Sequence, residues 1–241
     1  GAKLKLDVGK IGDENKIDNI KYTTGTGTIA VNSINLMNDI DDGTLTWLSG
    51  GSGVTDNTAT IKIATSNAVY TFINTTPGVL DVTKGSAVTL PIIVKDPSYI
   101  FVSSYSLTNG DETMDAELGD LSGVGRNFTI NGNGHALNGQ KSDTENVAGI
   151  TIGIGQTLTL NDVDMQNFQS NVEGGAIANT GTISSIAGNF TSNSADGYSG
   201  AGGAIYNYAE SSNTNVGNIT GNFTSNSANG LSGAGGAIYN Y

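Results

Sequence analysis

The 241-residue sequence has no cysteine, one histidine and three prolines, and only 13% of it is charged. Without cysteine there is neither a disulfide framework nor a thiolate metal site. The single histidine, His135, has no second imidazole or thiol with which to build a transition-metal site. Positive charge is scarcer still. There are 10 Lys and Arg against 22 Asp and Glu, for a net charge of -12, and every basic residue lies at or before Lys141. Residues 142–241 carry seven acids and no base. Nucleic-acid binding runs on Lys and Arg neutralising phosphates, so this composition argues against it. No apolar run approaches the roughly 18 residues of a membrane helix. The hydrophobic content of 37% is nevertheless too high for simple disorder. Soluble domains are about a quarter charged. This surface is instead covered by Gly, Asn, Ser and Thr, with 35 glycines in the chain.

Internal repetition explains that composition. Ile186 to Asn207 and Ile219 to Asn240 are identical at 19 of 22 positions, at an offset of 33 residues. A shorter, degenerate copy precedes them: Phe168 and Asn171, then Gly174 and Gly175. Around these copies, Ile150, Ile152 and Ile154 alternate with small residues, as do Leu158 and Leu160. Period-2 runs broken by Gly and Asn indicate short strands joined by tight corners. Short strands at a fixed repeat predict a solenoid in which each rung stacks on the last at about 4.8 Å. Like residues then lie over like: Phe190 over Phe223, Ile205 over Ile238, and Asn193 over Asn226 with amides bonded along the stack. Gly202-Gly203 and Gly235-Gly236 supply corners with backbone angles closed to other residues. Charge would repel itself in every rung, which accounts for its scarcity.

The alternating motifs Phe-x-x-Asn (Phe168–Asn171, Phe190–Asn193, Phe223–Asn226) and Gly-Gly-Ala-Ile (Gly174–Ile177, Gly202–Ile205, Gly235–Ile238) resemble the repeats of the polymorphic outer-membrane proteins and of related autotransporter-like bacterial surface proteins. The resemblance covers about residues 122–241. It implies a right-handed parallel β-helix passenger, exported to the bacterial cell surface and used in adhesion. The expected fold is therefore all-β: a right-handed parallel β-helix over 122–241 behind an N-terminal β-rich segment over 1–121. That segment is read either as a cap with the first irregular coils or as a separate β module. Its strands are expected at Thr28–Val31, Leu45–Leu48, Thr60–Ala64, Val69–Ile73, Val88–Val94 and Ile100–Val102, with a helical turn near Asp111–Leu118. The chain stops at the heptapeptide Gly235–Tyr241, a copy of Gly202–Tyr208, and more repeats are expected after it.

Candidate chemistry is thin. Asp111, Glu112, Asp115, Glu117 and Asp120 form the densest acidic cluster. They miss the twelve-residue calcium-loop pattern and read as a solvated loop. Asp162 and Asp164 lie two apart and read as outward-facing alternation on one strand, although paired carboxylates are also the basis of glycoside hydrolysis. No catalytic residue, metal ligand or cofactor is expected. The expected function is that of a non-enzymatic, extracellular surface adhesin fragment, a stalk whose loops at Ala195–Ala201 and Tyr208–Asn218 meet a host or bacterial surface protein or glycan. Tyr198, Tyr206 and Tyr208 are the candidate contact residues, because Tyr is favoured at interfaces. The alternatives are a polysaccharide-degrading β-helix enzyme and a fibre that self-associates through an exposed C-terminal rung.

Overall fold

The computed structural model describes residues 2–13, 18–22, 26–50, 53–96, 98–101, 104–118, 127–140, 147–208 and 215–241. It is a nearly all-β chain forming a parallel β-solenoid of about 6 turns. Two compact units are distinguished: Gly1–Val88 with Ser98–Val102, and Thr89–Pro97 with Ser103–Tyr241.

The second unit holds the repeats, wound as three parallel sheets. The longest runs through Ser104–Ser106, Asn127–Asn138, Thr157–Gln166, Thr182–Ala187 and Asn215–Thr220, with Phe190–Thr191 and Phe223–Thr224 continuing its far half. The next contains Ile150–Ile152, Ile177–Asn179, Ile205–Asn207 and Ile238–Asn240. The smallest contains Gln169–Ser170, Ser194–Ala195 and Ser227–Ala228. The core is a set of columns. Leu137, Met165, Phe190 and Phe223 occupy one, and Ile150, Ile177, Ile205 and Ile238 another. Phe190 is fully buried and lies over Phe223, with ring centroids 4.9 Å apart and planes 6° from parallel. The offset between rungs varies along this column, from 28 residues at Leu137↔Met165 to 25 at Met165↔Phe190 and 33 at Phe190↔Phe223. Loops at the corners take up the difference, so the columns keep their register.

Buried amides are satisfied in the same vertical sense. The Asn193 side-chain amide and backbone N–H both donate to Asn226 Oδ1 at 3.0 Å. A second ladder runs from Asn179 to Asn207 to Asn240, each amide donating to the next at 2.6 Å, with Asn179 and Asn207 buried. Unpaired, such groups would each cost about 1–3 kcal/mol. The paired glycines serve the corner. Gly174, Gly202 and Gly235 have φ of +63°, +64° and +63°. A Cβ on Gly203 would fall 2.2 Å from the Gly236 carbonyl oxygen, so both members of the pair must lack a side chain.

Four sequence expectations are corrected. The Phe168–Asn171 copy is three residues out of structural register. Met165 takes the place beneath Phe190, and Phe168 lies opposite Asn193, donating its N–H to Asn193 Oδ1 at 3.0 Å. Asn171 is exposed. The earliest Phe-x-x-Asn is thus a coincidence of letters, whereas Gly174–Ile177 does lie in register with its later copies. Val88–Val94 is not a strand, because Leu90–Lys95 is an α-helix with Pro91 in its first turn. Proline has its φ preset for that position and lacks only an N–H that would be unused there. Asp111–Leu118 contains no helical turn, since Glu112–Thr113 is a strand laid on Leu137 and Asn138. Finally, Asn215–Asn218, expected in a loop, opens the strand Asn215–Thr220. Of the rest of that expected loop, Tyr208 donates its N–H to the Asn179 carbonyl, and 209–214 lie outside the described residues.

The first unit combines two patterns. Ala2–Val8, Gly27–Leu36 and Val54–Asp56 pair in parallel at an offset of 27 residues at their starts, and Ile20–Tyr22 pairs in parallel with Leu48–Gly50. An antiparallel meander of Ile61–Ala64, Ala68–Thr76 and Val79–Ser86 adds Gly43–Thr46 at one edge and Tyr99–Phe101, parallel, at the other. The expected strand Leu45–Leu48 is divided between the two patterns. It breaks at Trp47, whose side chain is fully buried with Leu45, Phe72 and Leu80.

Candidate functional site

The outer surface of the second sheet carries the most ordered aromatic feature among the described residues. In each three-residue strand the first and third residues point inward, and the middle one faces out. The outward column reads Thr151, Ala178, Tyr206, Tyr239. Two positions further on, Thr180, Tyr208 and Tyr241 follow in successive rungs, with Tyr208 and Tyr241 each donating an N–H to the rung before. Four tyrosine rings therefore form a two-by-two array. Tyr206 lies 5.6 Å from Tyr239 and Tyr208 5.5 Å from Tyr241 along the axis. Across the rung, Tyr206 and Tyr208 are 6.2 Å apart and Tyr239 and Tyr241 6.4 Å apart. All four planes are within 7° of their neighbours. The array begins abruptly, because the rung before it presents only Ala178 and Thr180. Burial, and after it the negative charge of Glu173, raises the Tyr206 phenol above its ordinary 10.0, so the hydroxyl stays a neutral donor.

Of the expected contact residues, Tyr206 and Tyr208 fall in this array, and Tyr198 stands apart on its loop, 75% exposed. Tyr239 and Tyr241 were missed, although the duplicated heptapeptide held the signal: whatever Tyr206 does, Tyr239 repeats one rung on. Glu173 carried no sequence signal, since its closeness to Tyr206 depends on the corner at Gly174.

A second feature is a cleft of about 270 Å³ lined by residues from three successive rungs, including Asp115 and Glu117, Val147, and Gln169 and Val172. Asp115 is paired with Lys95. Glu117 accepts a hydrogen bond from the Thr151 hydroxyl, so the cleft adjoins the foot of the outward Thr151–Ala178–Tyr206 column.

The acidic cluster is not a uniformly solvated loop, for its members are dispersed to separate structural tasks. Buried Glu112 accepts from the Leu90 N–H and the Tyr105 hydroxyl, both at 2.7 Å. Burial raises its carboxyl above the usual 4.5, and those two hydrogen bonds act in the opposite direction. Burial and the bond to Glu112 together push the Tyr105 phenol well above its usual value. Asp111 accepts from the Ala136 N–H at 2.8 Å and lies 3.6 Å from His135 Nδ1. Asp120 lies outside the described residues. Among the described residues no group of three His, Cys, Asp or Glu side chains is placed to hold a metal ion. Asp162 and Asp164 do not share one flat strand face. Asp162 has φ of +54° and turns the corner, while Asp164 accepts from both the backbone and the side chain of Asn189, at 2.8 and 2.9 Å. Asn189 in turn accepts from Asn222 at 3.1 Å, so Asp164 is the acceptor at the foot of a third amide ladder.

These features define a parallel β-solenoid with a polar, tyrosine-bearing outer face. Comparison with protein-family profiles, curated proteins and solved structures gave no match.

Proposed function

We propose that the chain is a non-enzymatic, extracellular adhesive segment of a bacterial surface protein, a rod that displays side chains for contact with a host or bacterial surface. The observation that carries this reading is the division of labour within the repeat. Phe190, Asn193, Ile205 and Asn207 are consumed by inward stacking, while Tyr206, Tyr208 and Tyr198 are left for the outer face. The alternation of Phe-x-x-Asn with Gly-Gly-Ala-Ile in the two later copies supports a place beside the polymorphic outer-membrane proteins and autotransporter-like passengers. The test is adhesion. Inert beads coated with the chain are expected to attach to epithelial monolayers or bacterial lawns above the level of beads coated with an unrelated acidic protein. Attachment at the control level sinks the reading.

The cleft favours a second reading, a polysaccharide-degrading enzyme, because it sets two carboxylates beside a basic partner on one of them: Asp115, Glu117 and Lys95. Release of reducing ends from acidic or neutral polysaccharides, abolished by Glu117→Gln, would favour it over adhesion.

A further inference from the structure

Resting on the adhesive reading, we infer that the step where the tyrosine array begins is a binding site for an extended, uncharged saccharide chain lying along the solenoid axis. Tyr206 and Tyr208 stand side by side with parallel planes. On one side the next rung of tyrosines covers them, 5.5–5.6 Å away. On the other side the register puts Ala178 and Thr180 beneath them. Neither residue has the bulk to cover a phenol ring. The result is a ledge two rings wide over a floor of small side chains.

The axial column continues from Ala178 to Thr151, whose hydroxyl is bonded to Glu117 at the cleft. An occupant that stacks on the tyrosines can therefore extend about two rungs, roughly 10 Å, before meeting the cleft carboxylate. A sugar ring suits this surface. Its C–H face packs on the ring, as hydrophobic and aromatic area does elsewhere, and its hydroxyls meet Glu173, Glu117 and the phenols, all uncharged or negative. Charge decides the class of sugar. Residues 142–241 have no Lys or Arg and seven acids. An acidic glycan, a phosphate or a nucleic acid would be repelled, and a neutral glycan would not.

Affinity electrophoresis tests this, with hydroxyethyl cellulose, galactomannan and dextran as neutral probes and polygalacturonate as the acidic one. The native chain is expected to be retarded by at least one neutral polymer and to pass unhindered through polygalacturonate. The Tyr206→Ala/Tyr208→Ala variant should lose the retardation while keeping its circular dichroism and melting profile. Ala178→Tyr is the sharper variant, because it extends the tyrosine stack by one rung and fills the ledge. It should lose retardation although it adds an aromatic ring. No retardation by any neutral polymer overturns the inference, as does retardation that Ala178→Tyr leaves intact or increases. Concentration-dependent dimers abolished by Tyr206→Ala would overturn it in favour of contact between copies of the chain. If the saccharide site fails while coated beads still adhere, the adhesive reading stands without it. If the beads fail and the polymer still binds, the ledge stands and the adhesive role does not.

Discussion

The two units bury their apolar side chains in different ways. In the Gly1–Val88 unit, Trp47, Tyr70 and Phe72 sit in one cluster among Leu45, Leu80, Val82 and Ile63, each fitted to unlike neighbours. In the Ser103–Tyr241 unit the unit of packing is the column, where Phe meets Phe, Ile meets Ile and Asn meets Asn. The first arrangement specifies structure by shape and the second by register. Register is cheap in information, because one solved rung fixes the next, but it commits every copy to the same tolerances.

Columns are broken most severely by removing a ring. Phe190→Ala is expected to cost about 3–5 kcal/mol, the range for a buried core aromatic, measured by urea denaturation. Because Phe190 and Phe223 are in contact, the double alanine variant should cost less than the sum of the singles. Additive losses would show that the rings are buried separately and do not act as a stack. Asn193→Ala should cost about 1–3 kcal/mol, since Phe168 N–H loses its acceptor, and the Met165 carbonyl and Asn226 Oδ1 each lose the Asn193 side-chain donor while the residue-193 backbone N–H to Asn226 remains. Hydrogen exchange should place the loss at amides 165–168 and 190–193 first. Protection left unchanged there would remove the ladder from the account of stability.

Glycine sharpens the contrast. Gly202→Ala forces an L-residue to φ +64° and sets its Cβ 2.2 Å from the Ile205 oxygen, which should cost at least about 1–2 kcal/mol. Gly85→Ala in the first unit meets nothing closer than the Val69 oxygen at 3.7 Å. It is expected to be neutral, or stabilising by about 0.4–1 kcal/mol through loss of unfolded-state freedom. Equal melting shifts for the two would contradict the assignment of Gly202 to a constrained corner.

The repeats were legible because duplication states the register outright: Phe190 and Phe223 share a spacing, and so do Gly202 and Gly235. What failed is instructive. Phe168–Asn171 matched the motif but not the rung, since a four-letter pattern carries no information about which backbone bond it faces. Leu90–Lys95 hid its helix behind the strand-favouring pair Ile92-Ile93. The signal that outweighed them, Pro91 at the helix start and a carboxylate at Glu112 for the Leu90 N–H, depends on a residue 22 positions away. Asp162 was read on a flat strand, where a left-handed residue bends the chain instead. Local propensity reads the strands, while the corners and caps are decided by tertiary partners.

The smallest predicted effect is a pH dependence whose sign differs between the units. Burial raises the Glu112 carboxyl above 4.5, so the folded chain holds that proton more tightly than the unfolded chain. Its contribution is greatest at and below 4.5, falls as pH climbs through the raised value, and is flat above it. Asp39 behaves oppositely. Hydrogen bonds from Lys84 and Tyr70 hold its carboxyl below 3.8, so its contribution is present above 3.8 and is lost as pH falls through the lowered value. Glu112→Gln keeps an acceptor for one of the two donors and removes the titration. Its denaturation midpoint should therefore rise less than that of the native chain on acidification toward 4.5, while Asp39→Asn should alter the profile only at lower pH. A Glu112→Gln profile parallel to the native one would mean that the carboxylate is solvated and that the Leu90 and Tyr105 bonds do not hold it in the interior.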